Sequence, residues 1–599
     1  MLDLSFAALA GRVLLTCNEA MSPHLQRLRS RFASASSISN QAFDIALDDL
    51  LLNLRELADW PESDADVQWQ QELLRVVYTN AADSAVLETQ LASSLALDSG
   101  LVDTAFAHDA LLTAFQKRDL VKLLSLSHGA NFSVPGAGKT RVTLAAYASR
   151  RARGLVSRML VVCPKSAFES WKDEAVAYFG VDALRLAVMD SSVVPSAELV
   201  LLNYERLPDA VQALIQLLQS QPTFLVLDEA HRMKLGPAGA WGTACFAMGP
   251  YASSRMILTG TPAPNGARDL ENLLSFVWPG LGRQTVQKAL ADGDLRKASV
   301  RLRPLFVRTT KQELSLPPVS LSVRLLELPP LHRELYQALI GQHFGAERGG
   351  EYDAAALGRV VLYLLMAATT PALLAVGSSR YEPLPYRVPP LSPPPTSSLG
   401  ELMRDLPHYE MAPKYQEVLT IVAANAAKGR KTIVWSTFVR NLTSLHHLLH
   451  RFQPAMVHGG TEDRAGELAR FRADANCLVL LSNPATLGEG VSLHQVCNDA
   501  VFVDRDFAAG RFLQSLDRIH RLGLPPDAET HVTILLSRST IDEVVASRLS
   551  SKLVFMGSVL DDQALLELDD LDEEPSALVG MNADDVSALL AHLSGNAAA

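Results

Sequence analysis

Ser133-Val-Pro-Gly-Ala-Gly-Lys-Thr140 is a glycine-rich turn that runs directly into an apolar helical pattern. Gly136 and Gly138 let backbone N–H groups turn towards phosphate, Lys139 can reach the β- and γ-phosphates, and the Thr140 hydroxyl can bind Mg2+. Ser133 stands where the standard pattern has its first glycine. Downstream, Leu225-Val-Leu-Asp-Glu-Ala-His231 is an apolar strand ending in two carboxylates, Asp228 and Glu229. Asp228 suits the shell of a Mg2+ ion, and Glu229 suits the base that orients and deprotonates water. Further on, Gln514-Ser-Leu-Asp-Arg-Ile-His-Arg521 sets Arg518 and Arg521 three residues apart, which on a helix gives them one face. Phosphate cradle, metal with base, and arginine pair are the parts of phosphoryl transfer. The distance along the chain from loop to arginines predicts a site made by two lobes. Each feature also has a plainer reading: a glycine turn, a strand-end acid pair facing solvent, a solvated basic helix face.

The surrounding pattern supports two α/β blocks. From about 106 to 278, apolar strands alternate with helices: Met159-Leu-Val-Val-Cys163, Leu199-Val-Leu-Leu-Asn203, 224–227 and Arg255-Met-Ile-Leu-Thr259. Each ends in a polar or glycine-containing turn, as a parallel sheet covered by helices requires. A second block, about 412–555, repeats the pattern with Thr432-Ile-Val-Trp435, Ala455-Met-Val457, Cys477-Leu-Val-Leu-Leu481, Ala500-Val-Phe-Val503 and Val532-Thr-Ile-Leu-Leu536. Residues before 105 show helical periodicity, notably 43–57, and few strand signals. Between the blocks lie a mostly helical stretch and a proline-rich segment, 381–395, which reads as a linker or surface excursion.

A chain of 599 residues is too long for one core. With 48% hydrophobic and 20% charged residues it is ordinary globular protein. The net charge of −11 opposes broad nucleic-acid affinity, although acid is concentrated in 561–574. Five scattered cysteines (17, 163, 245, 477, 497) support neither a disulfide framework nor a zinc site, and point to a reducing cytoplasm. The start Met-Leu-Asp-Leu lacks the basic flank of a signal peptide. The apolar run 360–377 is broken by Thr369-Thr370-Pro371 and has no aromatic belt, so it reads as a buried helix and no membrane partner is expected.

The order of these motifs resembles that of superfamily 2 helicase-like ATPases, and the details resemble the prokaryotic type of the SNF2 family of double-stranded DNA translocases. Such P-loops tolerate a residue other than Gly at the first position. Phe115-Gln116 resembles the adenine-reading Q motif, and Asp228-Glu229-Ala230-His231 is a DEAH box. Leu160-Val-Val-Cys-Pro-Lys-Ser-Ala-Phe-Glu-Ser-Trp-Lys-Asp-Glu174 resembles motif Ia, and Leu202-Asn-Tyr-Glu205 motif Ib. Leu258-Thr-Gly-Thr-Pro-Ala-Pro-Asn265 is similar to motif III. Leu305-Phe-Val-Arg-Thr-Thr-Lys311 resembles the arginine/lysine block that follows it, with Thr309 in place of its second arginine. Trp435-Ser-Thr-Phe438 fits motif IV, Val457-His-Gly459 the short motif after it, 481–493 motif V, and 514–523 motif VI. Ser539-Thr-Ile-Asp-Glu543 resembles the element closing the second lobe.

The resemblance implies an α/β fold of two tandem RecA-like lobes. The expected parts are a helical N-terminal docking or regulatory domain (1–105), lobe 1 (106–280), a helical insertion with the proline-rich linker (281–411), lobe 2 (412–555) and an acidic tail (556–599). It implies ATP held by Gln116, Gly136, Ala137, Gly138, Lys139 and Thr140, with Mg2+ on Thr140 and Asp228. Lys139, Asp228, Glu229, Gln514, Arg518 and Arg521 are the implied catalytic set. Lys165, Ser166, Phe438 and Asn483 are the implied phosphate-backbone contacts, and Thr259, Thr261 and Gly490 the coupling positions, with His231 linking the site to motion. The expected partners are duplex DNA and a protein such as a nuclease or another subunit of a prokaryotic genome-defence system, the last by analogy alone. A strand-separating DNA or RNA helicase, and an ATP-switched scaffold, are the rival readings.

Overall fold

The structure is a computed structural model. It describes the chain except residues 9–10, 61–66, 93–110, 181–183, 191–193, 263–266, 315, 318, 347–353, 377–380, 383–385, 488–492, 508, 522–523, 526–527, 561–587 and 594–599. The chain divides into two compact units, parted between Glu313 and Leu314.

The first unit contains two sheets. The N-terminal one comprises β1 (Leu2–Phe6), β2 (Arg12–Cys17), β3 (Ser36–Ser39), β4 (Ala42–Ala46) and β5 (Val67–Trp69), in the order β3-β4-β2-β1-β5. The expected helical domain is therefore corrected to a sheet covered by helices. The strands were hard to read because they are short and two-faced. Val13, Leu15, Phe43 and Ile45 point inward, while Arg12 and Asp44 form an ion pair at 2.6 Å on the other face. In 43–57 the leucine run after residue 46 supplies the helical signal, and it belongs to the helix Leu47–Leu52.

Nor does this region stand apart from the first lobe. Asp48 accepts hydrogen bonds from the Gly280 N–H at 2.8 Å and the Ser275 hydroxyl. Asp83, buried, accepts from the Trp278 indole at 2.8 Å. Helices Leu281–Leu290 and Leu295–Leu302, expected in an insertion, also belong to this unit.

The second sheet carries the chemistry. It comprises β6 (Gly129–Asn131), β7 (Arg158–Val162), β8 (Leu186–Val188), β9 (Leu199–Leu202), β10 (Thr223–Asp228) and β11 (Ser254–Leu258). All its pairings are parallel, in the order β6-β11-β10-β7-β9-β8. β9, β10 and β11 are buried along their whole length, which explains the apolar runs Leu199–Leu202, 224–227 and 256–258. Ligands of such sheets bind beyond the carboxyl ends of the strands. Here β6, β11 and β10 are neighbours, so the glycine loop, Thr259 and the acid pair emerge side by side.

The second unit has one parallel sheet, ordered β12-β17-β16-β13-β15-β14. Its strands are β12 (Val319–Leu326), β13 (Thr432–Trp435), β14 (Ala455–Val457), β15 (Val479–Ser482), β16 (Asp499–Phe502) and β17 (Thr530–Ser537). β12 moves the start of this lobe from the expected 412 to 314. It escaped notice because Val319-Ser-Leu-Ser-Val-Arg-Leu-Leu326 lies partly exposed at a sheet edge, far in sequence from its partner β17.

The run 360–377 forms a buried helix, Ala354–Thr369, and a short helix, Ala372–Ala375. Among the described residues no helix is long and apolar enough to cross a membrane. The proline-rich segment is anchored, not a free linker. Glu382, buried, accepts from the Val439 and Arg440 N–H groups at 3.1 Å each and from the Arg440 guanidinium at 3.2 Å. It thereby caps the helix Val439–Leu448.

Candidate nucleotide site

The loop after β6 has the backbone that phosphate binding needs. Gly136 and Gly138 adopt φ of +87° and +79°, the left-handed region that side chains disfavour. Gly138 then starts the helix Lys139–Ala152. A Cβ on Gly138 would come within 2.3 Å of Gln116 Nε2, so this position admits glycine alone. Gln116 is indeed brought to the loop, and its side chain braces it. Its Oε1 accepts from the Thr113 N–H at 3.0 Å, and its Nε2 donates to the Ala137 carbonyl at 3.1 Å. Lys139 Nζ donates to the Ser133 carbonyl at 2.9 Å, across the mouth of the loop.

Asp228 ends β10 with its carboxylate buried and well supplied with donors. The Trp171 indole N–H donates to Oδ2 at 2.8 Å, and the Glu229 N–H to Oδ1 at 2.9 Å. The Tyr204 hydroxyl fixes the Asp228 carbonyl at 2.9 Å. Burial, then the Glu229 charge, pushes the Asp228 carboxyl up to about 6, against the opposing pull of Trp171 and Lys139. A cation beside such a carboxylate would favour its charged form. Left-handed glycines, Thr140 half-buried in the first helical turn, and Asp228 within range of the Lys139 charge together fit a magnesium nucleotide.

Glu229 itself sits at φ +48°, a sparsely populated conformation for a residue with a side chain. This turns it off the strand line. Its Oε2 lies 3.4 Å from His231 Nδ1, which lies 3.3 Å from the Thr259 hydroxyl. That hydroxyl accepts from the Thr261 N–H at 3.1 Å. Glu229, His231, Thr259 and Thr261 are thus one polar chain.

In the second unit, Gln514 lies on the helix Ala509–Leu516, but Arg518 and Arg521 do not. The expected shared helix face is corrected to a following turn. The Arg518 carbonyl accepts from the Leu493 N–H at 2.8 Å, and the His520 ring binds the Pro317 carbonyl at 2.6 Å. The turn keeps two helix-type bonds, the Asp517 N–H on the Leu513 carbonyl at 3.0 Å and the His520 N–H on the Leu516 carbonyl at 2.9 Å. Arg518 is buried, with Nε on the Gln514 carbonyl at 2.9 Å.

The implied DNA contacts separate. Lys165 is exposed at the start of a short 3-10 turn. Phe438 is fully buried, edge-on to Tyr386 at 6.3 Å, and is corrected to a core position in this conformation. Asn483 is buried as well, so neither side chain reaches a surface. The Ser166 side chain and Gly490 lie outside the described residues.

Trp171 and Tyr204 are site residues whose contacts the sequence did not display. The available signal was that a buried indole or phenol N–H or O–H requires a partner.

Residues 132–368 match the SNF2-related domain, and residues 413–523 the helicase conserved C-terminal domain. The chain is 27% identical over 474 residues to a chromodomain-helicase-DNA-binding protein 1-like of Danio rerio, across 74% of this chain and 43% of that protein. It is 23% identical over 499 residues to the ATP-dependent DNA helicase DDM1 of Arabidopsis thaliana, across 74% of this chain and 61% of the relative. The chain thus spans less than two thirds of these relatives' lengths. Among solved structures it is similar to a Sulfolobus solfataricus SWI2/SNF2 ATPase core in complex with dsDNA, at 19% identity and a TM-score of 0.33, over 78% of this chain and 97% of that one. The chain therefore carries an SNF2-related domain followed by a helicase conserved C-terminal domain.

Proposed function

We propose that the chain hydrolyses ATP and uses the energy to move along duplex DNA. The observation that carries the reading is the convergence, at the carboxyl ends of β6, β11 and β10, of a glycine loop, a motif III hydroxyl and a carboxylate pair. In this reading the loop N–H groups and Lys139 bind the phosphates, Lys139 leaving the Ser133 carbonyl as it does so. Thr140 and Asp228 hold Mg2+, which when bound neutralises phosphate charge. Glu229 accepts a proton from water at its carboxylate. Arg518 and Arg521 stabilise charge on the transferring phosphoryl group, and Gln514 supports them. His231, Thr259 and Thr261 relay the state of Glu229 to the rest of the lobe.

Duplex DNA is the proposed track, in line with the names of the relatives, and Lys165 is the proposed phosphate contact. The motor serves a separate protein subunit, such as a nuclease of a prokaryotic defence system. ATPase rates with no nucleic acid, duplex DNA, single-stranded DNA and RNA test the reading. Duplex DNA should stimulate most, and triplex displacement should occur without strand separation. Equal stimulation by RNA, or efficient unwinding, overturns it.

A further inference from the structure

Ser133 stands where the generic phosphate-loop pattern has its first glycine, and Thr309 stands where the family block has an arginine. In the structure these two residues touch. The Thr309 N–H donates to the Ser133 hydroxyl at 2.9 Å. Both hydroxyls converge on one carboxylate oxygen, Asp119 Oδ2, Thr309 at 2.8 Å and Ser133 at 3.3 Å. All three residues are buried. The other oxygen, Asp119 Oδ1, accepts from the Arg118 guanidinium at 2.8 and 3.0 Å.

The backbone explains why they meet. Residues 307–309 run along the free edge of β6, with Phe132 N–H on the Val307 carbonyl at 2.8 Å and Val134 N–H on the Thr309 carbonyl at 3.0 Å. This stitching brings position 309 to the first residue of the phosphate loop. A glycine at 133 would leave the Thr309 N–H without its buried partner and leave Asp119 Oδ2 with the Thr309 hydroxyl in place of two hydroxyl donors. An arginine at 309 would enter a fully buried position already bonded to Arg118 at 3.2 Å. The family's arginine therefore does not fit at 309 while Ser133 and Asp119 stay as they are. The bonded ring is also close to function, since the Ser133 carbonyl receives Lys139 at 2.9 Å.

We propose that Asp119, Ser133 and Thr309 form a positioning lock that fixes the entrance of the phosphate loop to residues 307–309. The claim rests on the nucleotide reading of this site. By holding the Ser133 backbone, the lock keeps the loop ordered before nucleotide arrives, so loosening it acts on nucleotide affinity. None of the three residues touches the reacting atoms.

The test is a double-mutant cycle on the full chain, with the fluorescent nucleotide mant-ADP as probe. Ser133→Ala and Thr309→Val should each weaken binding by about fivefold, as expected for one or two buried hydrogen bonds. The double variant should be no weaker than about twice the worse single one, because the groups act as a unit. Thr309→Ser, which restores the hydroxyl, should bind like the wild type. Multiplicative losses in the double variant, or no loss in either single one, overturn the lock. Amide hydrogen exchange over residues 131–139 provides a second readout that needs no ligand. The same non-additive pattern of faster exchange is expected there, and unchanged exchange in both single variants overturns the proposal. A wild-type chain that fails to bind mant-ADP would instead sink the nucleotide reading, and exchange would still decide the lock.

Discussion

Replacing Trp171 with Phe removes one hydrogen-bond donor from the buried Asp228 carboxylate and keeps most of the apolar ring. The indole N–H lies 2.8 Å from Oδ2. A bond of this kind to a charged group contributes about 1.5–3 kcal/mol, or roughly one to two pH units in the carboxyl's titration. Burial and the Glu229 charge already push Asp228 up to about 6, and the variant should raise it further, to about 7–8. At pH 7 the wild-type carboxyl is about one tenth protonated, and the variant's would be about one half to nine tenths protonated. Protonation competes with metal, so apparent Mg2+ affinity at pH 7 should fall roughly twofold to tenfold.

Near pH 9 both carboxyls are ionised and the difference should nearly vanish. The assay is Mn2+ binding followed by electron paramagnetic resonance at the two pH values, with thermal melting alongside. Melting should show a separate packing loss of about 0.5–3 kcal/mol. Equal metal affinity in variant and wild type at pH 7, or a deficit that persists undiminished at pH 9, would refute the reasoning. The sign also bears on stability. Because the folded carboxyl titrates above its ordinary range, ionised Asp228 destabilises the metal-free protein, and this cost is relieved as pH falls below about 6.

Glu229→Gln should leave mant-nucleotide binding intact and lower turnover on the order of a hundredfold or more, as loss of a general base does; near-normal hydrolysis would mean the base lies elsewhere. Arg518→Ala and Arg521→Ala should each reduce kcat far more than nucleotide affinity, and a variant with full turnover would remove that arginine from the catalytic set. Asp48→Ala should lower the melting temperature of the first unit, because the Gly280 N–H and the Ser275 hydroxyl lose their buried acceptor, at about 1–3 kcal/mol per group left unpaired. An unchanged melt would show that the N-terminal sheet contributes little to that unit.

Most strands that were legible in sequence are buried on both faces. β13 matches its expected limits, and β7, β9, β10 and β11 do so within a residue or two, because both faces demand apolar side chains. β14, a short edge strand with Met456 half-buried, matches through its apolar residues Ala455-Met-Val457. β1 to β5, β6, β8 and β12 went unread. They are short or lie at edges, where a polar residue on the outer face dilutes the signal. The glycine loop and the acid pair were legible because their chemistry is local. The contacts of Trp171, Thr309 and Glu382 were not, because each joins segments tens to hundreds of residues apart. The motif VI arginines differ from expectation for a related reason: spacing implies a helix, whereas residues 517–521 form a turn whose Arg518 carbonyl and His520 ring bond to segments distant in sequence.

The anchoring of Glu382 changes what can be built onto this protein. By composition the stretch 381–395 invites a protein engineer to insert a reporter, a protease site or a longer spacer. Its first half is a poor place for one, since an insertion there would withdraw a carboxylate from the buried start of the helix Val439–Leu448 and displace Tyr386 from Phe438. Residues 394–396 are exposed, and extra length would be accommodated more readily there. A few positions therefore separate a permissive graft from one that unravels the start of motif IV.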